Sequence, residues 1–131
     1  MNKKQILLAG KKVLQSELQS IKTLNSIFDD SFYRVVKTIY ETKGRVIVTG
    51  IGKSGHIARK ISATLSSTGS PSQYMHSTEA SHGDLGAIKK DDCILAISNS
   101  GQTNELNDII SFAKRYNIKL LSISGDKKGI L

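Results

Sequence analysis

"RVIVTGIGKSGH", residues 45–56, decides how the rest of the chain is read. Its first five residues are a short β-branched run, its glycines break that run with a turn, and Ile57, Ala58, Ile61 and Leu65 then recur at helical spacing until Gly69. A strand, a glycine turn and a helix in that order begin a β-α-β unit. Gly50, Gly52 and Gly55 spell G-x-G-x-x-G, and Gly52-Lys53-Ser54 imitates the close of a nucleoside-triphosphate loop. The triphosphate likeness fails, because that loop needs a glycine where Ile47 stands inside the strand. The dinucleotide fingerprint is better placed, since the free N–H groups at a helix mouth favour an anion. It also asks for an acidic residue about 20 residues on, closing the second strand. The nearest, Glu79, falls late, beyond His76 and Ser77.

Downstream, "SQYMH" (72–76) is a weak strand candidate, "CILAIS" (93–98) a strong one, "NELNDIISFAKRYN" (104–117) a helix and "IKLLSIS" (118–124) a further strand. This alternation predicts an α/β fold, a three-layer sandwich whose parallel sheet has the flavodoxin-like order 2-1-3-4 and carries helices on both faces. Upstream, Leu7, Leu14, Ile21 and Phe28 lie on one stripe of an amphipathic helix, or of two in succession. A further helix follows Asp29 and Asp30, either of which can cap it, carries Phe32, Val35, Val36, Ile39 and Tyr40, and stops at Gly44. The 131 residues read as one domain, with N-terminal helices over residues 1–43 and the α/β portion over 44–131. After the last strand only "GDKKGIL" remains. The helix that should cover that strand is therefore expected to be missing, which leaves an open edge.

Nineteen Lys and Arg against eleven Asp and Glu give a net charge of +8. Much of the excess is scattered over Lys3, Lys4, Lys11, Lys12, Lys89, Lys90, Lys127 and Lys128, without the interleaved aromatics of a single-strand nucleic-acid platform. The balance by itself would suit nucleic acid, an anionic membrane or small anionic substrates and does not choose among them; the missing aromatics speak against nucleic acid. The lone cysteine, Cys93, lies in an apolar run and excludes an internal disulfide. A cytoplasmic setting is expected, because "ILLAG" near the N-terminus is too short for a signal segment and no run approaches the length of a membrane span.

A second loop narrows the ligand. "SNSGQTNE", residues 98–105, sets the hydroxyls of Ser98, Ser100 and Thr103 around Gly101 at the mouth of a helix, a cradle for a compact phosphate monoester. The plainer alternative is that Thr103 caps the helix and the serines only form a turn. In the order 2-1-3-4, the turns after the first and third strands flank the crevice where open α/β sheets bind ligands. Ser54, Ser98, Ser100, Gly101 and Thr103 are the candidate phosphate-binding residues. Lys53, His56, His82 and Glu105 are the charged groups around them.

Together "GIGKSGH", "HSTEASHGDLG" and "SNSGQTNE" resemble the SIS (sugar isomerase) domain of D-arabinose-5-phosphate isomerases, over almost the whole chain. The resemblance implies interconversion of D-ribulose 5-phosphate and D-arabinose 5-phosphate, a step toward Kdo and lipopolysaccharide. It implies a small-molecule sugar phosphate as partner and a homo-oligomer; no cofactor is expected, no His, Cys and carboxylate grouping has a metal-ligand spacing, and neither nucleic acid nor a membrane is expected as partner. Lys53, His82 and Glu105 match polar residues of that family's active site and are the candidate catalytic residues. Ser77 departs from the proline usual there. The family's domain also continues past this length with another Glu and another His of the site, and often with CBS modules, so impaired turnover is expected of a chain ending at residue 131.

Isomerisation of an aldose to a ketose moves a proton between C1 and C2 through an enediolate, which needs a base at the carbon and a donor at the oxyanion. Glu105 is the candidate proton carrier, Lys53 the counter-charge for enediolate or phosphate, and His82 the candidate for ring opening or proton shuttling. Each also has a plain structural reading: Glu105 as an acid favoured near a helix start, His82 as a turn residue. Two rival functions stay open, a non-catalytic sugar-phosphate-binding module and a dinucleotide-binding fragment.

Overall fold

In the computed structural model, which describes residues 2–126, the chain divides into two compact units, Met1–Val36 and Lys37–Leu131. Lys127 and Lys128, with the rest of the tail after residue 126, lie outside the described residues.

The first unit is helical. Helix α1 (Lys3–Thr23) opens on a reciprocal cap in which Gln5 N–H donates to Asn2 Oδ1 and Asn2 N–H donates to Gln5 Oε1, both at 2.9 Å. This satisfies two donors that every helix start leaves free. A 3-10 turn over Leu24–Ile27 follows, and α2 (Asp30–Glu41) begins after Asp29, whose Oδ1 accepts from the N–H groups of Ser31 and Phe32. Of the two possible caps, Asp29 is the one used. The apolar stripe expected from the sequence is present, and none of the side chains of α1 is buried.

The second unit holds the sheet. Its strands are β1 (Val46–Gly50), β2 (Ser72–His76), β3 (Cys93–Ser98) and β4 (Lys119–Ser124), all parallel in the order β2-β1-β3-β4. Every residue of β1 and β3 is buried, as unbroken apolar runs require when both faces are covered. Between the strands lie α3 (Gly52–Ser67), α4 (Ser77–Ser81) and α5 (Asn107–Tyr116). Helix α3 packs Ala58, Ile61 and Leu65 onto the face carrying Val46, Val48 and Leu95. Helices α4 and α5 pack Ala80, Ile109 and Ala113 onto the face carrying Ile47, Ile94 and Ala96.

Three local expectations are corrected. The helix expected over 104–117 is split into a 3-10 turn (Asn104–Leu106) and α5. Helix α4 has no counterpart among the elements expected from the sequence. The strand runs expected at 45–49 and 118–124 are shifted or trimmed by one residue, so that Gly50 ends β1 and Lys119 begins β4.

At the amino ends of the strands the Asp92 carboxylate accepts from Arg45 N–H (2.7 Å), Lys89 N–H (2.9 Å) and Arg45 Nη2 (3.0 Å). The same guanidinium donates to the Ala87 carbonyl and to Gln73 Oε1. These bonds close that edge of the sheet.

Candidate functional site

The opposite edge, at the carboxyl ends of the strands, is built from glycines and hydroxyls. Gly52 opens α3 at φ +54°, in the left-handed region that favours glycine. Gly55 is needed for a different reason: a Cβ there would lie 2.8 Å from the Gly50 carbonyl oxygen and 3.0 Å from the Tyr74 hydroxyl. The fingerprint glycines thus seat the first turn of α3 against β1. Lys53 is exposed in that first turn and Ser54 is half-buried behind it.

The serine loop follows β3, the strand next to β1. Ser98 is 2% exposed, and its Oγ accepts from Gly101 N–H at 3.1 Å and shares a 2.6 Å hydrogen bond with Thr103 Oγ1. Gly101 is buried at φ +66°. Ser100 is exposed, and its Oγ accepts from Gln102 N–H at 3.2 Å. Thr103 precedes the 3-10 turn without capping it by its side chain, because its hydroxyl is engaged with Ser98. The loop is therefore folded around its own hydroxyls.

Glu105 stands exposed in the first turn of the 3-10 segment that leads directly into α5, where an acidic side chain is also favoured without any catalytic role. His82 ends α4, its backbone N–H donating to the Glu79 carbonyl and its side chain exposed. Helix α4 is capped by His76, whose Nδ1 accepts from Thr78 N–H at 3.3 Å. The side chains of Lys53, His82 and Glu105 have no ion-pair or hydrogen-bond partner among the described residues. The topology brings the Lys53 turn and the serine loop to adjacent strand ends, Gly50 lying opposite Ile97 in the ladder. His82 follows the far end of α4, the short helix that starts just past the end of β2.

Two residues there escape a reading of the sequence. Thr49 Oγ1 and Ser77 Oγ are fully buried and have no hydrogen-bond partner among the described residues. Thr49 shares its sheet face with Ile47 and Ala96, and Ser77 starts α4 just past the end of β2. Nothing in a single sequence marks a strand threonine as unsatisfied. A recess of about 350 Å³ lined by Gly86, Ile88, Phe112 and Tyr116 lies toward the amino ends of the strands and includes none of the candidate residues. Among the described residues, no group of three or more His, Cys, Asp and Glu side chains is placed to hold a metal ion. No helix among them is long and apolar enough to cross a membrane.

The glycine turn and the hydroxyl loop stand at the ends of adjacent parallel strands, and residues 38–131 match the SIS domain: the chain belongs to that family. It is 45% identical over 123 residues to the arabinose 5-phosphate isomerase KdsD of Yersinia pestis and 42% identical over 123 residues to that of Pseudomonas aeruginosa. In each case the match takes in 94% of this chain and 38% of the relative, so the chain spans well under half the length of these enzymes. Among solved structures, a protein of E. coli CFT073 in complex with arabinose 5-phosphate has a TM-score of 0.93 at 37% identity, covering 100% of this chain and 70% of the other.

Proposed function

We propose that the chain is the sugar-phosphate-binding part of an arabinose-5-phosphate isomerase, acting on D-arabinose 5-phosphate and D-ribulose 5-phosphate. The observation that carries this reading is the 42–45% identity, over 94% of the chain, to enzymes named for that reaction. The geometry of the serine loop supports it.

A proton count shows what the loop offers a phosphate. In the pair formed by Ser98 and Thr103 one hydroxyl donates to the other, so one hydroxyl proton stays available. Either hydroxyl can donate in this pair; with Ser98 Oγ already accepting from Gly101 N–H, donation from Ser98 to Thr103 leaves the Thr103 O–H for a phosphate. Ser100 Oγ accepts from Gln102 N–H and keeps its own O–H free. Two hydroxyl donors, the Ser100 backbone N–H and the Ser54 hydroxyl are then the donors offered to the phosphate. Each charge-assisted bond contributes about 1.5 to 3 kcal/mol.

With the phosphate held there, the carbonyl end of the open-chain sugar lies among the unpaired side chains. Glu105 takes the proton from C1 or C2 and returns it to the neighbouring carbon. Lys53 supports the negative charge that grows on the enediolate oxygen. His82 donates to the ring oxygen during opening or carries the proton between oxygens.

The test is calorimetric titration of the chain with arabinose 5-phosphate. Ser100→Ala combined with Thr103→Ala is expected to weaken binding by about 2 to 4 kcal/mol through two lost charge-assisted bonds. Unchanged affinity in a folded double variant overturns the phosphate assignment. A coupled isomerase assay on the same preparation separates the enzyme from its rival, since binding without turnover reduces the chain to a sugar-phosphate-binding module.

A further inference from the structure

We propose that Gly125 is a positioning residue for the serine loop, holding Asn99 so that the backbone of the loop presents its donors to phosphate. The inference rests on the phosphate-binding reading of that loop. Ser98 and Ser124 are partners at the ends of β3 and β4, and Gly125 carries the ladder one residue further by donating its N–H to the Asn99 carbonyl at 3.1 Å. The other hydrogen bonds of residues 99–103 stay within the loop or reach its own strand and turn. Gly125 is thus the tether that reaches the loop from a separate element.

No side chain fits at that tether. A Cβ on Gly125 would lie 2.9 Å from the Asn99 carbonyl oxygen and 3.2 Å from Asn99 Oδ1. Gly125 is outside the left-handed region, so glycine is required here by close approach and not by its φ. Just beyond, Ser124 Oγ accepts from Asp126 N–H and donates to the Asp126 carbonyl, at 3.1 and 3.0 Å, which fixes the turn holding Gly125 in place.

The consequence for the loop follows from peptide geometry. In a trans peptide the C=O of one residue and the N–H of the next point in opposite directions. Anchoring the Asn99 carbonyl on Gly125 therefore directs the Ser100 N–H away from β4, where no described group accepts it and an anion can. A methyl group at position 125 would push the Asn99 carbonyl outward and rotate that peptide plane, spoiling the aim of the Ser100 N–H without touching any hydroxyl.

The experiment titrates the 131-residue chain with inorganic phosphate and arabinose 5-phosphate. Gly125→Ala is expected to raise both dissociation constants about tenfold or more, the worth of one charge-assisted bond. Its melting temperature should stay near that of the parent, and the amide resonances of Ser100 and Gly101 should shift without ligand. Asn99→Ala keeps the backbone carbonyl and should fail to rescue Gly125→Ala, because the nearer clash is with the carbonyl oxygen. The parent chain provides a second readout that needs no variant: by reciprocity of coupled equilibria, saturating phosphate should slow hydrogen exchange at the Gly125 amide. Parental phosphate affinity in a folded Gly125→Ala chain, a loss of stability with no change in affinity, or unchanged Gly125 exchange would each overturn the inference while leaving the phosphate reading intact. A parent chain that binds neither phosphate nor sugar phosphate would overturn both.

Discussion

At the amino ends of the strands Arg45 and Asp92 satisfy each other and the backbone around them, whereas Lys53 and Glu105 at the carboxyl ends, and His82 after α4, stand exposed and without a partner among the described residues. Burial pushes the Asp92 carboxyl up, but the N–H groups of Arg45 and Lys89 and then the Arg45 guanidinium outweigh it and hold the group below its ordinary value. A charge so deep is tolerable only with such a set of donors. The exposed side chains need no such support, because water solvates them at little cost. One edge is thus committed to holding the sheet together, and the other keeps its polar groups available to a ligand. The two orphaned hydroxyls, Thr49 Oγ1 and Ser77 Oγ, lie at the available edge.

The sharpest attack on this contrast is Asp92→Ala. It leaves the Arg45 guanidinium and two backbone donors without their acceptor and should cost about 3 to 5 kcal/mol in urea denaturation, the range for breaking a buried pair. Acid should erase part of the same contribution. The folded carboxyl of Asp92 lies below its unfolded value of about 3.9, so in the interval between them the folded chain binds fewer protons and stability rises with pH. The contribution is complete above the unfolded value and lost as pH falls through the folded one. The stability gap between the parent and Asp92→Asn should therefore narrow from about pH 6 toward about pH 3; a gap that widens on acidification contradicts the sign.

A smaller effect of opposite sign is expected at the other edge. Thr49→Val keeps the shape of a fully buried side chain and removes an unsatisfied hydroxyl, so stability should rise by about 1 kcal/mol. A loss on thermal denaturation would mean that the hydroxyl has a partner. Smallest of all, Lys53→Ala, His82→Ala and Glu105→Ala should each shift stability by no more than about 0.5 kcal/mol, as surface substitutions do, while weakening sugar-phosphate binding or turnover. A destabilisation as large as that of Asp92→Ala at any of the three would erase the distinction between the edges.

The same contrast explains what can be read without coordinates. Strands β1 and β3 are plain in the sequence because both faces of each are covered and every residue is apolar or small. Strand β2 is weak there because it is an edge strand with polar Ser72 half-buried and Gln73 exposed. Helix α4 leaves no trace, since five residues are too few to show a helical period. The stretch 104–117 looks like one continuous helix because Thr103 resembles a cap, and only the structure shows its hydroxyl turned back to Ser98. The hydroxyl composition of the serine loop is visible from residue types alone. Its tether is not, because the bond from Gly125 to Asn99 depends on the β3–β4 register. Arg45 and Asp92 are 47 positions apart, and no local pattern joins them.

Cys93 follows Asp92 directly, begins β3 between Val46 and Lys119, and has no exposed surface. Burial pushes its thiol pKa up, which lowers the fraction of reactive thiolate still further. A small alkylating reagent can therefore modify it only when this part of the sheet opens, and the rate of modification becomes a clock for that opening. The chain carries one such thiol and no other, so the signal comes from a single known place. Timed alkylation followed by mass spectrometry would read the integrity of the closed edge in crude extract or with ligand bound at the far edge, without any introduced label.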